Sequence, residues 1–226
     1  MSQQPDLITL RDPRSPAAEA FRTLRTNLTF AALDKPLATL VVTSAEPNAE
    51  KSVALANLAV TMAQGERRVV LVDADLRRPS LHAIFGVSNA RGLTTMFVEP
   101  KALTTPPLVQ TGVDNLTLLP SGPLPPNPAD LLGSKRMEEV IAALQAHADV
   151  VLFDTPPVVV VTDAAVLGTK VDGVLLVVNS GKTRRDHAQR AQELLARVNV
   201  RLLGAVLTNA PRDATIGGYY EIGAKV

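Results

Sequence analysis

Short apolar segments alternate with amphipathic stretches along most of the chain. The apolar segments are rich in Val and Leu and lack a regular apolar–polar alternation, which is typical of strands buried on both faces of a sheet. Six such segments predict strands: residues 37–45, 67–75, 115–122, 149–157, 173–181 and 201–209. Amphipathic stretches between them predict helices at about residues 51–64, 134–147 and 184–198. Together they predict an α/β fold with a mostly parallel sheet and helices on both faces.

The chain begins with a polar segment that leads into a further helix. Residues 1–14 are polar and punctuated by proline, and we interpret them as an extended N-terminal arm. Ser15 is a suitable N-cap, and Pro16 suits the first helical position. Apolar residues then recur at helical spacing and predict one stripe, with charged residues on the opposite side. The stripe is Phe21, Leu24, Leu28 and Ala31, and the charged residues are Glu19, Arg22 and Arg25.

The middle and the end of the chain are less regular. Residues 99–133 contain much of the proline and predict loops around one short strand. Residues 211–226 have little apolar content and two adjacent glycines, so we expect a mobile tail. That tail holds the only two tyrosines of the chain, Tyr219 and Tyr220. A single domain is therefore expected over residues 15–210.

Composition narrows the possible functions. The chain has 226 residues, 46% of them hydrophobic, which suits one sizeable α/β domain. A net charge of +1 favours neither a nucleic-acid surface nor a polybasic membrane anchor. The absence of cysteine excludes disulfides and thiol chemistry. No apolar run approaches the ~20 residues of a membrane span, and the first residues do not resemble a signal peptide. We therefore expect a cytoplasmic protein.

A phosphate-loop motif with its glycines replaced lies between the first predicted strand and the next helix. The segment AEPNAEKS, residues 45–52, ends in the Lys-Ser pair of the pattern GxxxxGK[ST]. Lys51 is placed to reach nucleotide phosphates, and the Ser52 hydroxyl is placed to bind Mg²⁺. A Glu50 carboxylate about 4 Å from a phosphate charge would cost roughly 4 kcal/mol at an effective dielectric of about 20. The loop therefore predicts a phosphate site with weakened affinity.

Aspartates follow two other predicted strands. Asp73 and Asp75 come at the end of the segment 67–75, and Asp154 ends the apolar run of 149–157. An isolated pair of aspartates more often caps a turn and pairs with a neighbouring arginine, here Arg77 or Arg78. The position after a strand instead favours a ligand site. There one carboxylate can position Mg²⁺ while another accepts a proton.

Seven segments of the chain resemble the bacterial tyrosine kinases of capsular and exopolysaccharide systems, which are relatives of the MinD/ParA P-loop ATPases. The likeness runs from about residue 11 to residue 209, in the order that the family shows. The segments that carry it are SPAAEAFRTLRTNL, LVVTSAEPNAEKSVALANLAV, VVLVDADLRRPSLHAIFG, NARGLTTMF, PPNPADLL, VVLFDTPPVVVVTDAAVLGTKVDGVLLVV and LLGAVLTN. The resemblance implies a MinD/ParA-like P-loop NTPase fold.

The resemblance also implies a role for each candidate residue. Lys51 and Ser52 match the Walker A pair, Asp73 and Asp75 the Walker A′ acids, and Asp154 the Walker B acid. Catalysis would then involve Lys51, Asp73, Asp75 and Asp154, and Mg²⁺ would be held by Ser52, Asp75 and Asp154. The family's Walker A reads roughly PGEGKS where this chain reads PNAEKS, so both glycines are missing.

Further expectations concern partners and the acceptor. Glu19, Arg22 and Arg25 match an ExxRxxR element through which family members form rings, although such a triad is also common on a solvated helix face. Asn209 is interpreted as a purine contact or as a turn former. The family phosphorylates C-terminal tyrosines of a neighbouring subunit, here Tyr219 and Tyr220. Its stand-alone members are activated by a membrane-embedded polysaccharide co-polymerase.

Three functions remain open at this point. The first is a kinase-like regulatory subunit of polysaccharide synthesis that has lost efficient ATP binding, for which ATP and Mg²⁺ would not be cofactors. The second is an active ATP- and Mg²⁺-dependent tyrosine autokinase. The third is a ParA/MinD-like switch ATPase, which is disfavoured because Ala45 and Glu46 stand where such switches carry an extra lysine. No nucleic-acid partner is expected.

Overall fold

Seven strands form one sheet in the computed structural model, which describes residues 5–211. The strands are β1 Thr39–Ser44, β2 Val69–Asp73, β3 Val109–Gln110, β4 Leu116–Leu119, β5 Val150–Asp154, β6 Gly173–Asn179 and β7 Leu202–Thr208. Their order across the sheet is β3-β4-β2-β5-β1-β6-β7, and only β3 runs antiparallel to its neighbour. The six predicted strands are confirmed as β1, β2 and β4 to β7. The mostly parallel sheet is confirmed with them.

Ten helices accompany the sheet within these residues. They are α1 Ile8–Arg11, α2 Pro16–Ala31, α3 Lys51–Gln64, α4 Leu81–Ile84, α5 Thr95–Val98, α6 Lys101–Thr104, α7 Pro128–Gly133, α8 Lys135–Gln145, α9 Asp163–Gly168 and α10 Arg185–Arg197. The four long ones, α2, α3, α8 and α10, are the helices that the hydrophobic pattern predicts. In the part of the chain described, no helix combines the length and the apolar character needed to cross a bilayer.

Two separate apolar cores cover the two faces of the sheet. Along β6, Leu175 and Val177 join the core that contains α3, whereas Val174 and Leu176 join the core that contains α8 and α10. Successive side chains of a strand point to opposite faces, so both faces of β6 are buried. This arrangement explains why the strand segments read as continuous apolar runs.

The predicted extended arm contains a helical turn and is packed onto the domain. Residues 8–11 form α1, and Leu7 is buried. The main-chain N–H and the hydroxyl of Thr9 both donate to Asn57 Oδ1, at 3.1 and 2.8 Å. The prediction of an extended conformation is wrong for these residues. A single turn carries no periodic signal, and contacts with α3 stabilise it.

Helix α2 begins where the sequence predicts. The Ser15 hydroxyl accepts the main-chain N–H of Ala18 at 3.2 Å, and Pro16 is the first helical residue. One side chain departs from the predicted arrangement. Arg25, expected on the side opposite the apolar stripe, donates from Nη1 to the carbonyl of Thr61 at 2.6 Å. It therefore lies against the last turn of α3, because its long side chain reaches the Thr61 carbonyl, which also accepts the main-chain N–H of Gly65 at 3.2 Å.

The region 99–133 is more ordered than the sequence predicts. Helices α6 and α7 and strand β3 lie within it, in addition to the predicted strand β4. The interpretation as loops around one strand is therefore wrong in part. Each added element has six residues or fewer, too short for a hydrophobic period. Residues 212–226, which hold most of the predicted tail and both tyrosines, lie outside the described residues.

Strand β7 carries a bulge. Val174 of β6 pairs with Leu202, but the next residue, Leu175, pairs with Gly204, so Leu203 is an additional residue on β7. Gly204 has a φ of 153°, a backbone conformation that glycine adopts most readily.

Candidate functional site

The carboxyl ends of β1, β2 and β5 lie side by side, and they bring the predicted site residues together. Asp73, which ends β2, pairs in register with Asp154, which ends β5. Strand β1 follows on the other side of β5 and leads into the loop 45–50, and α3 begins at Lys51. Ligand sites of open α/β sheets lie at this edge, beyond the carboxyl ends of the strands.

The loop keeps the backbone conformation that glycine would provide, although it contains none. Asn48 has a φ of 60° and Glu50 a φ of 59°, both in the left-handed region. These are the two positions where the tyrosine-kinase pattern has glycine. Asparagine tolerates this conformation better than glutamate, so Glu50 carries the larger strain. The side chains of Asn48 and Glu50 are exposed, while Ala49 between them is buried.

Lys51 lies between two carboxylates. Its Nζ donates to Asp154 Oδ1 at 3.0 Å and to Asp75 Oδ2 at 3.1 Å. Burial alone would lower the pKa of Lys51, but the charges of Asp154 and then Asp75 outweigh it, so the pKa is raised. Lys51 is therefore a fixed positive charge at neutral pH. A phosphate would compete with these two carboxylates for it.

Ser52 and Asp154 are hydrogen-bonded to each other beneath the loop. The Ser52 hydroxyl donates to Asp154 Oδ2. Asp154 is fully buried, and this burial raises the pKa of its carboxyl, although the nearby charge of Lys51 and the bond from Ser52 oppose the shift. A hydroxyl and a carboxylate in direct contact supply oxygen ligands of the kind that Mg²⁺ prefers.

Asp75 combines a structural role with its contact to Lys51. Its Oδ1 accepts the main-chain N–H of Arg78 at 2.9 Å and that of Arg77 at 3.4 Å, so it caps the turn after β2. The Arg77 side chain instead makes a two-pronged ion pair with Asp163, with both distances at 2.9 Å. Asp75 therefore caps the turn, as one interpretation of the sequence predicts, although no arginine side chain within residues 5–211 pairs with it.

The two carboxylate oxygens of Asp73 differ in their contacts. Its Oδ2 accepts the main-chain N–H groups of Ser80 and Leu81, each at 2.9 Å. Its Oδ1 is buried and has no hydrogen-bond partner among the described residues. Burial, and next the charge of Asp154, raise the pKa of Asp73 to about 7. A carboxyl with this pKa can accept or release a proton near neutral pH.

Two cavities meet at Glu50. One, of about 490 Å³, lies between the loop and the segment after β2, and Ile84 and Val160 form part of its wall. The other, of about 520 Å³, runs between α2, α3 and the end of β7. Asn209 lines the second cavity and has a φ of 54°, so it also forms a turn. A ligand on the loop would therefore have room on both sides of Glu50.

The residues at this edge fit a nucleotide phosphate with Mg²⁺. The backbone of the loop has the conformation of a phosphate cradle, and the 14-residue helix α3 begins directly after it. Asp73 Oδ1 has no hydrogen-bond partner in the described part of the chain. Within residues 5–211, no three His, Asp or Glu side chains are grouped as a complete metal site. Mg²⁺ here would need phosphate or water oxygens in addition to the protein ligands, which is its usual mode of binding.

Comparison with known proteins agrees with this geometry. A family model described as ParA, NUBPL iron-transfer P-loop NTPase, matches residues 37–210. The tyrosine-protein kinase YwqD of Bacillus subtilis (strain 168) is 43% identical over 205 residues, which cover 90% of this chain and 86% of YwqD. This chain belongs to the bacterial tyrosine-kinase family. It therefore also belongs to the ParA-type P-loop NTPases, and the predicted fold is confirmed.

Solved structures of this family superpose closely on the chain. The chimerical protein CapA2B2 has a TM-score of 0.86 and 36% identity, with 91% of this chain and 90% of that chain covered. The kinase domain of Escherichia coli tyrosine kinase ETK has a TM-score of 0.87 and 32% identity, with 95% of this chain and 84% of that domain covered.

In this tyrosine-kinase-family chain, the ExxRxxR residues lie on α2, away from the loop. Arg22 pairs with Glu19 at 2.7 Å and donates to the carbonyl of Pro13 at 2.6 Å, while Arg25 contacts Thr61. All three side chains thus have partners within one copy. Glu19 and Arg22 remain partly exposed, so they are accessible to a second copy as well.

Two features near the loop were not predicted from the sequence. Glu46 Oε1 lies 2.6 Å from His187 Nδ1 and accepts the main-chain N–H of Arg184 at 3.1 Å, which ties the loop to the start of α10. Asn179, at the end of β6, is buried, and its amide has no hydrogen-bond partner among the residues that the structure describes. Glu46 and His187 are 141 positions apart, and no local pattern marks such a pair. The polar residue at the end of an apolar strand was a usable signal for Asn179.

Proposed function

We propose that this chain is a tyrosine-kinase-like regulatory subunit of exopolysaccharide synthesis or export, and that Asn48, Ala49 and Glu50 weaken its binding of ATP. The observation that carries the proposal is the conformation of the loop. Glu50 occupies a left-handed position that glycine would occupy without strain, and its exposed carboxylate borders both cavities. The loop thus keeps the backbone conformation of a phosphate site, but the negative charge of Glu50 disfavours a bound phosphate.

The charges around the loop support weak binding. Lys51 is already neutralised by Asp75 and Asp154, so a phosphate must displace or share these contacts. Glu50 adds a negative charge at the rim, worth up to roughly 4 kcal/mol of repulsion if it lies about 4 Å from a phosphate. That energy corresponds to about three orders of magnitude in affinity. Rotation of the Glu50 side chain into solvent would reduce the penalty.

The remaining residues would hold the nucleotide in a familiar way. The main-chain N–H groups at the start of α3 would face the phosphates, and Lys51 would bind the terminal ones. Ser52, Asp75 and Asp154 would hold Mg²⁺. When bound, Mg²⁺ supplies positive charge that offsets the phosphates and the carboxylates around them.

Titration of Mg·ATP by calorimetry tests this proposal. The wild-type chain is expected to bind much more weakly than micromolar. The Asn48→Gly/Glu50→Gly variant is expected to bind 10²- to 10³-fold more tightly, because it loses both the strain and the rim charge. Micromolar binding by the wild type would refute the proposal.

A second candidate is an active tyrosine autokinase, and the state of Asp73 favours it. Asp73 Oδ1 has no hydrogen-bond partner within residues 5–211, and the raised pKa of this carboxyl lets it take a proton near neutral pH. In this role it would accept the phenol proton as the tyrosine oxygen bonds to the terminal phosphorus of ATP, the bond from that phosphorus to the bridging oxygen breaks, and ADP leaves. Tyr219 or Tyr220 of a neighbouring copy would be the acceptor. Mass spectrometry for phosphotyrosine after incubation with Mg·ATP tests this, with Asp73→Asn as the control. Equal labelling of both proteins, or none, rejects it.

The proposal also includes a location and two kinds of partner. We place the chain in the cytoplasm, recruited to the membrane by a membrane-embedded polysaccharide co-polymerase, and assembled into a ring through Glu19, Arg22 and Arg25. Family membership and the likeness to CapA2B2 and ETK support this assignment. Sedimentation velocity tests the ring: Arg22→Glu should reduce self-association. An unchanged distribution of species would count against α2 as the interface.

A further inference from the structure

Asn179 has a buried side-chain amide at the end of β6. Its side chain is 1% exposed, and neither Nδ2 nor Oδ1 contacts a polar group among residues 5–211. Its main chain, in contrast, is fully engaged: the N–H donates to Thr183 Oγ1 at 3.0 Å, and the carbonyl accepts the N–H of Thr183 at 2.9 Å. The lack of partners is therefore a property of the side chain alone.

The position of Asn179 places this amide beneath the phosphate loop. Val177, two residues earlier, pairs with Ser44 at the end of β1 and joins the core on the α3 face of the sheet. Side chains alternate along a strand, so Asn179 lies on the same face, beyond the point where β1 ends and the loop begins. Its cross-strand partner is Thr208, whose hydroxyl lies 3.4 Å from the carbonyl of Ala49 in the loop.

A second buried asparagine shows what is unusual about Asn179. Asn57 is 2% exposed, and both of its amide atoms are paired. Its Oδ1 accepts from Thr9, and its Nδ2 donates to the carbonyl of Val53 at 2.9 Å. Burial of an unpaired amide is unfavourable, and an apolar side chain of similar shape would suit the end of β6 better. A polar residue there needs a partner that another state of the protein provides.

We propose that Asn179 is a positioning residue for the phosphate loop, and that its amide hydrogen-bonds the loop main chain when the loop holds a nucleotide phosphate. The inference rests on nucleotide binding by this loop, as proposed above. Main-chain N–H groups that turn toward a phosphate leave the carbonyls of the same peptides facing away from it. The Ala49 carbonyl already faces the sheet, since it lies 3.4 Å from the Thr208 hydroxyl, and Asn179 Nδ2 would donate to a carbonyl placed in this way.

This anchor has a particular use in a loop without glycine. Asn48 and Glu50 hold their left-handed conformation under strain, so an additional bond from the sheet would stabilise that conformation while a ligand is bound. Asn179 would thus act on the loop and not on the nucleotide itself.

The test combines nucleotide affinity with stability in the absence of nucleotide. Asn179→Leu removes the amide and keeps the shape of the side chain, and Asn179→Ala serves if the leucine variant does not fold. Each substitution is made in two parents, the wild type and the Asn48→Gly/Glu50→Gly variant, and each product is compared with its own parent. Mg·ATP is titrated by calorimetry, and urea unfolding is measured without nucleotide. Asn57→Ala, which removes a paired amide, is the comparator for stability.

We expect Asn179→Leu to bind Mg·ATP about tenfold more weakly than its parent, the effect of losing one neutral hydrogen bond, while its urea midpoint is unchanged or higher. Asn57→Ala should lower the midpoint. Equal affinity of Asn179→Leu and its parent overturns the inference alone. A midpoint lowered as in Asn57→Ala also overturns it, because Asn179 would then have a partner without nucleotide. Failure of the glycine parent to bind Mg·ATP overturns nucleotide binding itself.

Discussion

Glu50 and Glu66 share a backbone conformation that glutamate rarely adopts. Their φ angles are 59° and 62°, and both side chains are exposed. Glycine enters this region without a steric penalty, although it loses more entropy on folding. We therefore expect Glu50→Gly to raise the free energy of unfolding by up to about 1 kcal/mol, measured by urea denaturation.

Glu66→Gly separates strain from ligand binding. It should stabilise the fold by a similar amount, but it lies at the far end of α3 and should leave the affinity for Mg·ATP unchanged. If both variants changed nucleotide affinity equally, backbone strain and not the charge of Glu50 at the phosphate would govern binding.

Asp73 makes stability depend on pH. Its pKa is about 7 in the folded protein, against an ordinary value of 3.8. Between these pH values the folded state holds the proton more tightly than the unfolded state, so the free energy of unfolding falls as the pH rises through this window. Asp73→Asn cannot titrate and should remove part of that fall, on the order of 1 kcal/mol per unit of pKa difference.

Urea denaturation of both proteins at several values from pH 4 to pH 8 checks this expectation. The advantage of Asp73→Asn should be small near pH 4 and should grow toward pH 8. Parallel curves for the two proteins would show that another group carries the dependence.

Two arginines of helix α2 make different contacts. Arg25 donates to the carbonyl of Thr61 at the end of α3, whereas Arg22 makes a partly exposed pair with Glu19 one turn away. Arg25→Ala should lower the free energy of unfolding by about 1–2 kcal/mol, because a charged bond to a helix terminus is lost. Arg22→Ala should cost about 0.5 kcal/mol or less.

Thermal and urea unfolding of the two alanine variants distinguish these roles. Equal destabilisation by both would mean that the Arg25 contact has no special weight. Sedimentation of the same proteins adds the complementary information, since Arg22 is the more accessible candidate for contact with a second copy.

The start of α9 is fixed by an asymmetric ion pair. Asp163 is fully buried, while the Arg77 side chain is 40% exposed. Arg77→Ala would leave a buried carboxylate without its partner and should destabilise the fold by about 2–3 kcal/mol, less than for a fully buried pair. Asp163→Asn keeps a hydrogen-bonding group and leaves an arginine that water can reach, so it should cost less. Urea midpoints that rank the two variants in the opposite order would contradict this account.

At the scale of the whole molecule, the sequence predicts the elements that have a repeating apolar pattern. It does not predict single-turn elements or contacts between residues that are far apart in the chain. The buried strands and the long helices α2, α3, α8 and α10 have continuous or periodic apolar patterns, so their positions follow from the sequence. Helix α1 is too short for such a pattern, and it depends on the bonds between Thr9 and Asn57, which are 48 positions apart.

Some features of the candidate site could be predicted from the sequence and others could not. Lys51, Asp73 and Asp154 follow strands or begin a helix, so parallel topology brings them to one edge and the sequence suffices to find them. The left-handed backbone of Glu50 could not be predicted, because glutamate rarely adopts that conformation. The contact of Glu46 with His187 depends on the packing of α10 beside the loop, which only the complete fold determines.

The bulge at Gly204 affects how readily one edge of the sheet can pair with another molecule. Within residues 5–211, β7 is the last strand on its side of the sheet, so one row of its main-chain groups faces outward. Such a row can pair with a strand of another molecule and lead to aggregation. The extra residue Leu203 and the unusual φ of Gly204 interrupt the regular spacing of that row. The bulge thereby hinders accidental strand pairing along this edge of the sheet.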